Sequence, residues 1–364
     1  MSQAAIPASA SARSISERAV RSPKRNWYEG PLERGVFPDA VIRLGIRRRL
    51  RARLAELSAG GPEAMHERKR ALIDGLRAEP IAIETDAANA QHYELPPEFF
   101  RLWLGARRKY SCCLYPTGRE TLDEAEVAML DLYCERARLA DGMDILDLGC
   151  GWGSLALHLA TKYPSSRILG VSNSALQRGA IESVARERGL TNLEIHTADA
   201  NAFDPGRTFD RVMSVEMFEH MKNYASLLER VSSWLRPEGM LFVHIFTHRE
   251  AAYHYEAEED WIGRYFFSGG TMPSDDLLLH FQDHLAIQDH WTHSGDHYRR
   301  TAEHWLENYD RNREPIKRVL REAYADEATV WWNRWRVFIL ACAELWGLRD
   351  GSEWQVSHYL FAKR

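Results

Sequence analysis

Ile145-Leu146-Asp147-Leu148-Gly149-Cys150-Gly151-Trp152-Gly153-Ser154 is the stretch that decides the fold. An apolar run closes on an acid, then on three glycines at alternate positions, and the amphipathic run Leu155 to Tyr163 follows directly. The order is strand, tight turn, helix. Glycine lets the backbone turn sharply and approach a ligand closely, while a helix N-terminus adds free N–H groups and a positive dipole end. The spacing is G-x-G-x-G behind an acid, not the G-x-G-x-x-G of dinucleotide sites.

Working outward, strand 145–149 and helix 154–163 are followed by strand 167–172 and helix 174–189. Strand 193–198 ends at Asp199. Strand 210–216 precedes a helix from Ala225 to Leu235, which Arg236-Pro237-Glu238-Gly239 should stop before strand 240–246. Alternating units with buried strands predict a parallel, doubly wound α/β sheet. Ligands in such sheets lie at the carboxyl ends of the strands. The candidate positions are therefore Gly149 to Gly153, Ser172-Asn173-Ser174, Asp199-Ala200 and Glu216 to His220.

Beyond residue 246 the regularity breaks. Residues 247–280 are rich in aromatics and acids; Leu285 to Trp291 reads as the next strand. Thr301 to Gly347 reads as helical, and Trp354 to Phe361 as a last, antiparallel strand. The helical piece between two late strands is expected to cap the pocket. Ahead of the core, Pro38 to Leu57 predicts a helix with Ile46, Leu50, Leu54 and Leu57 on one face and six arginines between Arg43 and Arg53. Packing of that helix on the body is favoured over a lipid contact. Gly60, Gly61 and Pro62 should end it, with a second helix over His66 to Leu76, a link over Ile81 to Asp86 and an aromatic helix over Glu98 to Leu104. Thr121 and Glu124 form a capping box for a helix from Leu122 to Arg138. The division read from this pattern is a disordered leader (1–26), an N-terminal helical extension (27–104), the sheet core (105–300), the helical cap (301–350) and the last core strand (351–364). A transit peptide is the less favoured reading of the leader.

Bulk properties narrow the class. The 364 residues carry a net charge of −5, so nothing draws the whole chain to nucleic acid. No apolar run approaches a spanning helix. Five cysteines without C-x-x-C spacing point to reduced thiols, a cytoplasmic setting and no structural zinc. His290 and His293 lie close together, but no cysteine or carboxylate pattern completes a metal site.

The acid and alternate glycines resemble the first motif of class I methyltransferases that use S-adenosylmethionine (AdoMet), which implies a Rossmann-like core. In that reading the loop Asp147, Gly149, Gly151 and Gly153 holds the methionine end, and Asp199 and Ala200 flank the adenine. The second strand ends in Ser172 and Asn173, with Gln177 beyond, where the class usually places a ribose-binding acid. Glu216, Glu219 and His220 follow the fourth strand where the transferred methyl should lie. Glu219 or His220 can free an amine lone pair, and Glu216 can stabilise the ammonium. Taken alone, the same residues are also a plausible acid cluster at a helix start.

Longer stretches sharpen the likeness. Tyr110-Ser111-Cys112-Cys113, Thr121-Leu-Asp-Glu-Ala-Glu126 with Leu130-Asp-Leu-Tyr-Cys-Glu135, Val171-Ser-Asn-Ser174 and Glu216-Met-Phe-Glu-His-Met-Lys-Asn-Tyr224 resemble the coclaurine N-methyltransferase group. That group lies within the cyclopropane fatty acid synthase superfamily. His290-Trp-Thr-His-Ser-Gly295 and Asn333-Arg-Trp-Arg-Val-Phe338 extend the likeness over roughly residues 31 to 364. The resemblance implies methylation of a small amine, with AdoMet converted to S-adenosylhomocysteine. It implies Glu219 and His220 as the catalytic pair beside Glu216, Tyr110 and Ser111 among the cofactor contacts, and Tyr93, Trp335 and Phe338 in an aromatic amine pocket. It leaves a homodimer and a peripheral lipid contact open. The rival is the lipid branch, which methylenates acyl double bonds with a bound bicarbonate as base; Cys112, Glu219, His244 and Tyr298 resemble its anion site. A silent AdoMet-binding protein is the third reading, disfavoured because Glu216, Glu219 and His220 are all present.

Overall fold

The computed structural model describes residues 25–83, 95–255 and 260–364. The leader up to residue 24, and the Gln91-His92-Tyr93 run with its candidate pocket residue Tyr93, lie outside them.

Seven strands form one sheet in the order β3-β2-β1-β4-β5-β9-β8. β1 (Asp144–Leu148), β2 (Arg167–Ser172), β3 (Leu193–Thr197), β4 (Phe209–Val215) and β5 (Leu235–His248) run parallel. A two-residue ribbon, β6 (Tyr253–His254) with β7 (Thr271–Met272), leads to β8 (Leu285–Ser294). β9 (Trp354–Lys363) then inserts antiparallel between β5 and β8. Helices Ser154–Lys162, Ala175–Glu187 and Tyr224–Trp234 make the crossovers. Every residue of β1 is buried, as a central strand covered on both faces requires. The capping box at Thr121 is complete and opens the helix Leu122–Arg136.

Several boundaries differ from the sequence reading, each for a local reason. Gly61 and Pro62 do not end a helix; they open the next one, Gly61–Ala78, because proline costs nothing where an N–H has no intrahelical partner. Arg236-Pro237-Glu238-Gly239 does not break the chain before the fifth strand. Pairing jumps from Phe209–Leu235 to Arg211–Met240, so these residues bulge within β5. The aromatic helix ahead of the core shrinks to Pro97–Arg101. The late helical piece begins at Gly295 and divides into Gly295–Arg311, Arg313–Tyr324 and Ala328–Gly347. Its early start is capped by Ser294 Oγ, which accepts from the Asp296 N–H, and glycine is required at 295 because a Cβ there would lie 2.2 Å from the Trp354 carbonyl. Ala325, at φ +46°, ends the second of the three.

The arginine-rich helix Asp39–Leu57 packs on the body through Ile42, Ile46, Leu50 and Leu54. Arg43 bridges Glu303 at 2.7 Å and Glu344 at 2.8 Å, and Arg47 also pairs with Glu344. Burial by neighbours is thus paired with charge, which removes part of the arginine run from any lipid-facing surface. Among the described residues no helix is long and apolar enough to cross a membrane. Replacing Glu344 with alanine leaves two arginines facing a buried gap. The expected loss is about 2 kcal/mol, below that of a fully buried pair because Arg47 is half exposed. Chemical denaturation should show it, and limited proteolysis should cut first within Arg47 to Arg53.

Candidate active site

The glycine loop is positioned by β1 and sealed by its neighbours. Gly149 and Gly153 have φ of +85° and +80°, conformations that side chains rarely adopt. A Cβ would lie 2.6 Å from Met217 Cγ at the first and 2.6 Å from Ile181 Cγ1 at the second. The N–H groups of Gly149 and Cys150 both donate to the Val171 carbonyl, which pins the turn to β2. A cleft forms above it, lined by Tyr110, Ser111, Asp147, Gly149, Gly151, Trp152, Ser154, Gln177 and Glu216, among others. Ser172 reaches this cleft through Gln177, donating its hydroxyl to Oε1 at 2.5 Å. Asn173 is exposed, and Asp199 and Ala200 stand beyond the end of β3, outside the residues that line the cleft. Asp199 Oδ1 accepts from the Asn201 N–H at 2.6 Å.

The polar atoms here fit AdoMet. Asp147 Oδ2, Ser154 Oγ, Trp152 Nε1 and Gln177 Nε2 are buried without a partner among the described residues, although buried polar atoms are almost always paired. Burial pushes the Asp147 carboxyl up to about 7. A buried carboxylate with a free oxygen suits the ammonium of a methionine moiety, and the amide and hydroxyl suit its carboxylate and ribose. Asp147, Ser154 and Gln177 would hold the ligand.

At the end of β4 the backbone does something unusual. Glu216 adopts φ +46°, a left-handed conformation that costs a non-glycine residue about 1–3 kcal/mol. Its side chain is tied on both oxygens: Oε1 accepts from the Cys112 N–H at 2.9 Å and faces His244 Nε2 at 3.2 Å, and Oε2 accepts from the Tyr298 hydroxyl at 2.6 Å. Three of the four residues that resemble the anion site thus close on Glu216. Cys112 does so through its backbone, while its thiol reaches the Cys113 carbonyl.

The fourth, Glu219, sits apart in the short turn Phe218–His220. It is buried, with Oε2 unpartnered among the described residues, and burial together with the Glu216 charge raises its pKa well above the usual carboxylate range. Burial drives His220 the other way, down to about 4, with Lys222 adding to the effect and Glu216 opposing it. His244 likewise falls to about 4 through burial. The His220 ring meets Phe267 edge-on at 4.9 Å, and Phe267 abuts Tyr255 at 5.0 Å. Next to it Phe266 stacks on Phe338 at 4.5 Å and meets Trp335 at 5.0 Å. Trp335 is wholly enclosed and also meets Phe99 at 5.0 Å, whereas Phe338 is half-buried.

Sequence reasoning did not single out Phe266 and Phe267, nor Lys109, Tyr133 and His358 behind Glu216. Phe266 and Phe267 sit in the irregular 247–280 region, where no periodicity marks a face. The candidate His290 bonds Asp275 at 3.0 Å and His293 meets Arg136 at 2.6 Å, so the two serve separate contacts.

Comparison with known proteins places this geometry. The family model for mycolic acid cyclopropane synthetase matches residues 82–356. The (S)-coclaurine N-methyltransferase of Thalictrum flavum subsp. glaucum is 42% identical over 344 residues, covering 92% of this chain and 94% of that protein. The enzyme of the same name from Papaver somniferum is 40% identical over 342 residues, covering 92% and 97%. A crystal structure of coclaurine N-methyltransferase bound to N-methylheliamine and S-adenosylhomocysteine superposes with a TM-score of 0.89 at 41% identity, covering 92% of this chain and 98% of that one.

A ligand held through Asp147 would bind with a pH dependence. The Asp147 carboxyl is protonated below about 7 in the free chain, and an ammonium ligand needs it ionised. The affinity for S-adenosylhomocysteine, followed by calorimetry, should therefore fall about tenfold per pH unit below that point and level off above it. Asp147→Asn should bind weakly with a flat profile. Because the folded-state pKa is raised, the unliganded protein loses stability as pH rises from the ordinary carboxyl range through about 7; Asp147→Asn should abolish that loss.

Proposed function

We propose the acceptor for a chain that belongs to the mycolic acid cyclopropane synthetase family and is an AdoMet-dependent N-methyltransferase: a small aromatic or tetrahydroisoquinoline-like amine, methylated on nitrogen. The observation that carries this reading is the seat of Glu216. The donors that the lipid branch would turn on bicarbonate here hold a carboxylate of the chain itself. An external anion is redundant where an internal one is already bound. The aromatic residues beside His220 support a flat, apolar acceptor whose nitrogen becomes cationic, since ring faces attract both. The extensive identity to coclaurine N-methyltransferases supports the same class.

Bound AdoMet supplies an electrophilic methyl on a sulfonium. The amine must present a neutral lone pair in line with it: the N–C bond forms as the S–C pair returns to sulfur, and the nitrogen gives up a proton. Glu219 is the better acceptor for that proton. Its raised pKa brings it closer to an ammonium than an ordinary carboxylate, which is the match general-base catalysis favours. His220, held neutral near pH 7, offers a lone pair to orient the N–H. Glu216 faces the developing positive charge as a fixed carboxylate, already oriented by its donors. Phe267 and Phe338 give the ring its wall, with Trp335 and Phe266 packed against Phe338. Tyr93 is placed in the same pocket by resemblance alone. The five cysteines are all free, which supports a cytoplasmic setting.

Turnover of AdoMet should be measured with tetrahydroisoquinolines, phenethylamines and unsaturated phospholipid vesicles, each with and without bicarbonate. Methyl transfer to amines that ignores bicarbonate is the expected result; turnover confined to vesicles would overturn the proposal. Glu219→Gln should lose about a hundredfold or more in kcat while still binding S-adenosylhomocysteine normally. Glu216→Gly removes the carboxylate at a backbone position that glycine adopts freely. That variant should be impaired in buffer free of carbon dioxide and regain part of its rate when bicarbonate is added.

A further inference from the structure

Behind Glu216 a line of hydrogen bonds runs out of the site through residues the reaction does not touch. His244 on β5 and His358 on β9 are cross-strand partners, and both are fully buried. His244 Nδ1 meets His358 Nε2 at 2.7 Å, and His358 Nδ1 meets Arg136 Nη1 at 2.7 Å. The same Nη1 meets His293 Nε2 at 2.6 Å, and the Arg136 guanidinium lies 4.7 Å over the Trp291 ring. Among the described residues Arg136 makes no ion pair with a carboxylate. A half-buried cation has been given to two imidazoles instead.

The direction of each bond follows from one fact: a guanidinium has hydrogens to give and no lone pair to offer. Both hydrogens of Arg136 Nη1 are therefore donated, one to His358 Nδ1 and one to His293 Nε2. His358 must then carry its proton on Nε2, where it points at His244 Nδ1. That nitrogen becomes the acceptor, and it also faces the Tyr133 hydroxyl at 3.0 Å. His244 is left with its proton on Nε2, aimed at Glu216 Oε1. Reversing any one link would set two hydrogens or two lone pairs against each other inside the core.

We propose that Arg136 is a positioning residue for the active site, which acts by fixing the tautomers of His358 and His244 so that His244 donates to Glu216. The role in turnover rests on the part given to Glu216 above; the tautomers themselves do not. The arrangement holds the carboxylate in its left-handed backbone position by a donor that cannot rotate away. An imidazole free to switch tautomers would turn a lone pair toward Glu216 part of the time, and the carboxylate would lose one of its three donors.

The direct test is long-range proton–nitrogen NMR on protein labelled with 15N-histidine, with signals assigned by single replacement. The expected result is Nε2–H for His244 and His358 and Nδ1–H for His293. An Nδ1–H or doubly protonated His244 would overturn the proposal without any variant being made. In kinetics, Arg136→Met should lower kcat about tenfold or more with the KM for AdoMet unchanged, and Arg136→Lys, which keeps a donor, should restore most of it. Arg136→Met should add little to Glu216→Gln, since both cut the same line. Equal loss with Met and Lys, or full additivity, would reduce Arg136 to a packing residue. If Glu216→Gln itself left turnover intact while the tautomers were as expected, the functional reading of Glu216 would fail and the tautomer assignment would stand.

Discussion

The structure depends on a carboxylate that the chain binds to itself. Glu216 stands at the end of a parallel strand in a conformation that disfavours side chains, and the cost is met by three donors from regions far apart in sequence. The Cys112 N–H comes from the segment ahead of the sheet, His244 from β5 and Tyr298 from the helix that returns late in the chain. One acceptor thereby ties the early segment, the sheet and the late helices to a common point. Removing the Tyr298 hydroxyl leaves Oε2 without its donor, which costs more than the bond itself is worth, whereas Oε1 keeps one partner if Cys112 or His244 is lost.

Burial then divides the titratable groups by the direction in which it shifts them. The same loss of solvent pushes Asp147 and Glu219 upward and His220 and His244 downward, because each is driven toward its neutral form. Once ionised, a carboxyl with a raised pKa is a stronger base toward an amine than an ordinary one. An imidazole that refuses a proton becomes a dependable lone pair. The site needs no unusual chemistry, only two kinds of side chain under one dielectric.

The alternation from β1 to β5 was legible because each unit repeats one pattern: a buried run, a loop, an amphipathic helix. Asp147 and the glycines could be read for the same reason, since a strand-to-helix turn of that shape leaves few choices of residue. Glu216, Glu219 and His220 were legible as a group, but not the difference between a carboxylate tied on both oxygens and one whose Oε2 has no partner among the described residues. That difference comes from Cys112 and Tyr298, whose positions follow from packing across the sheet. The His244–His358 contact was out of reach, because pairing between β5 and β9 depends on an antiparallel register that local periodicity does not encode. Arg236 to Gly239 misled for a related reason: turn-forming residues are read as ends, yet a neighbouring strand can pair on both sides of them and turn an end into a bulge.

The place of β9 bears on how the chain is made. In sequence it is the last of the strands; in space it lies between β5 and β8. As the polypeptide leaves the ribosome, β1 to β5 can assemble in order, each against a neighbour already present. Until residues 354–363 are in place, β5 keeps a row of unpaired backbone groups and β8 has no partner in the sheet. Such an opening is a template for a strand from another molecule. The segment that removes this opening also carries His358 into place behind the site. Closure of the sheet and completion of the hydrogen-bond line are a single late event.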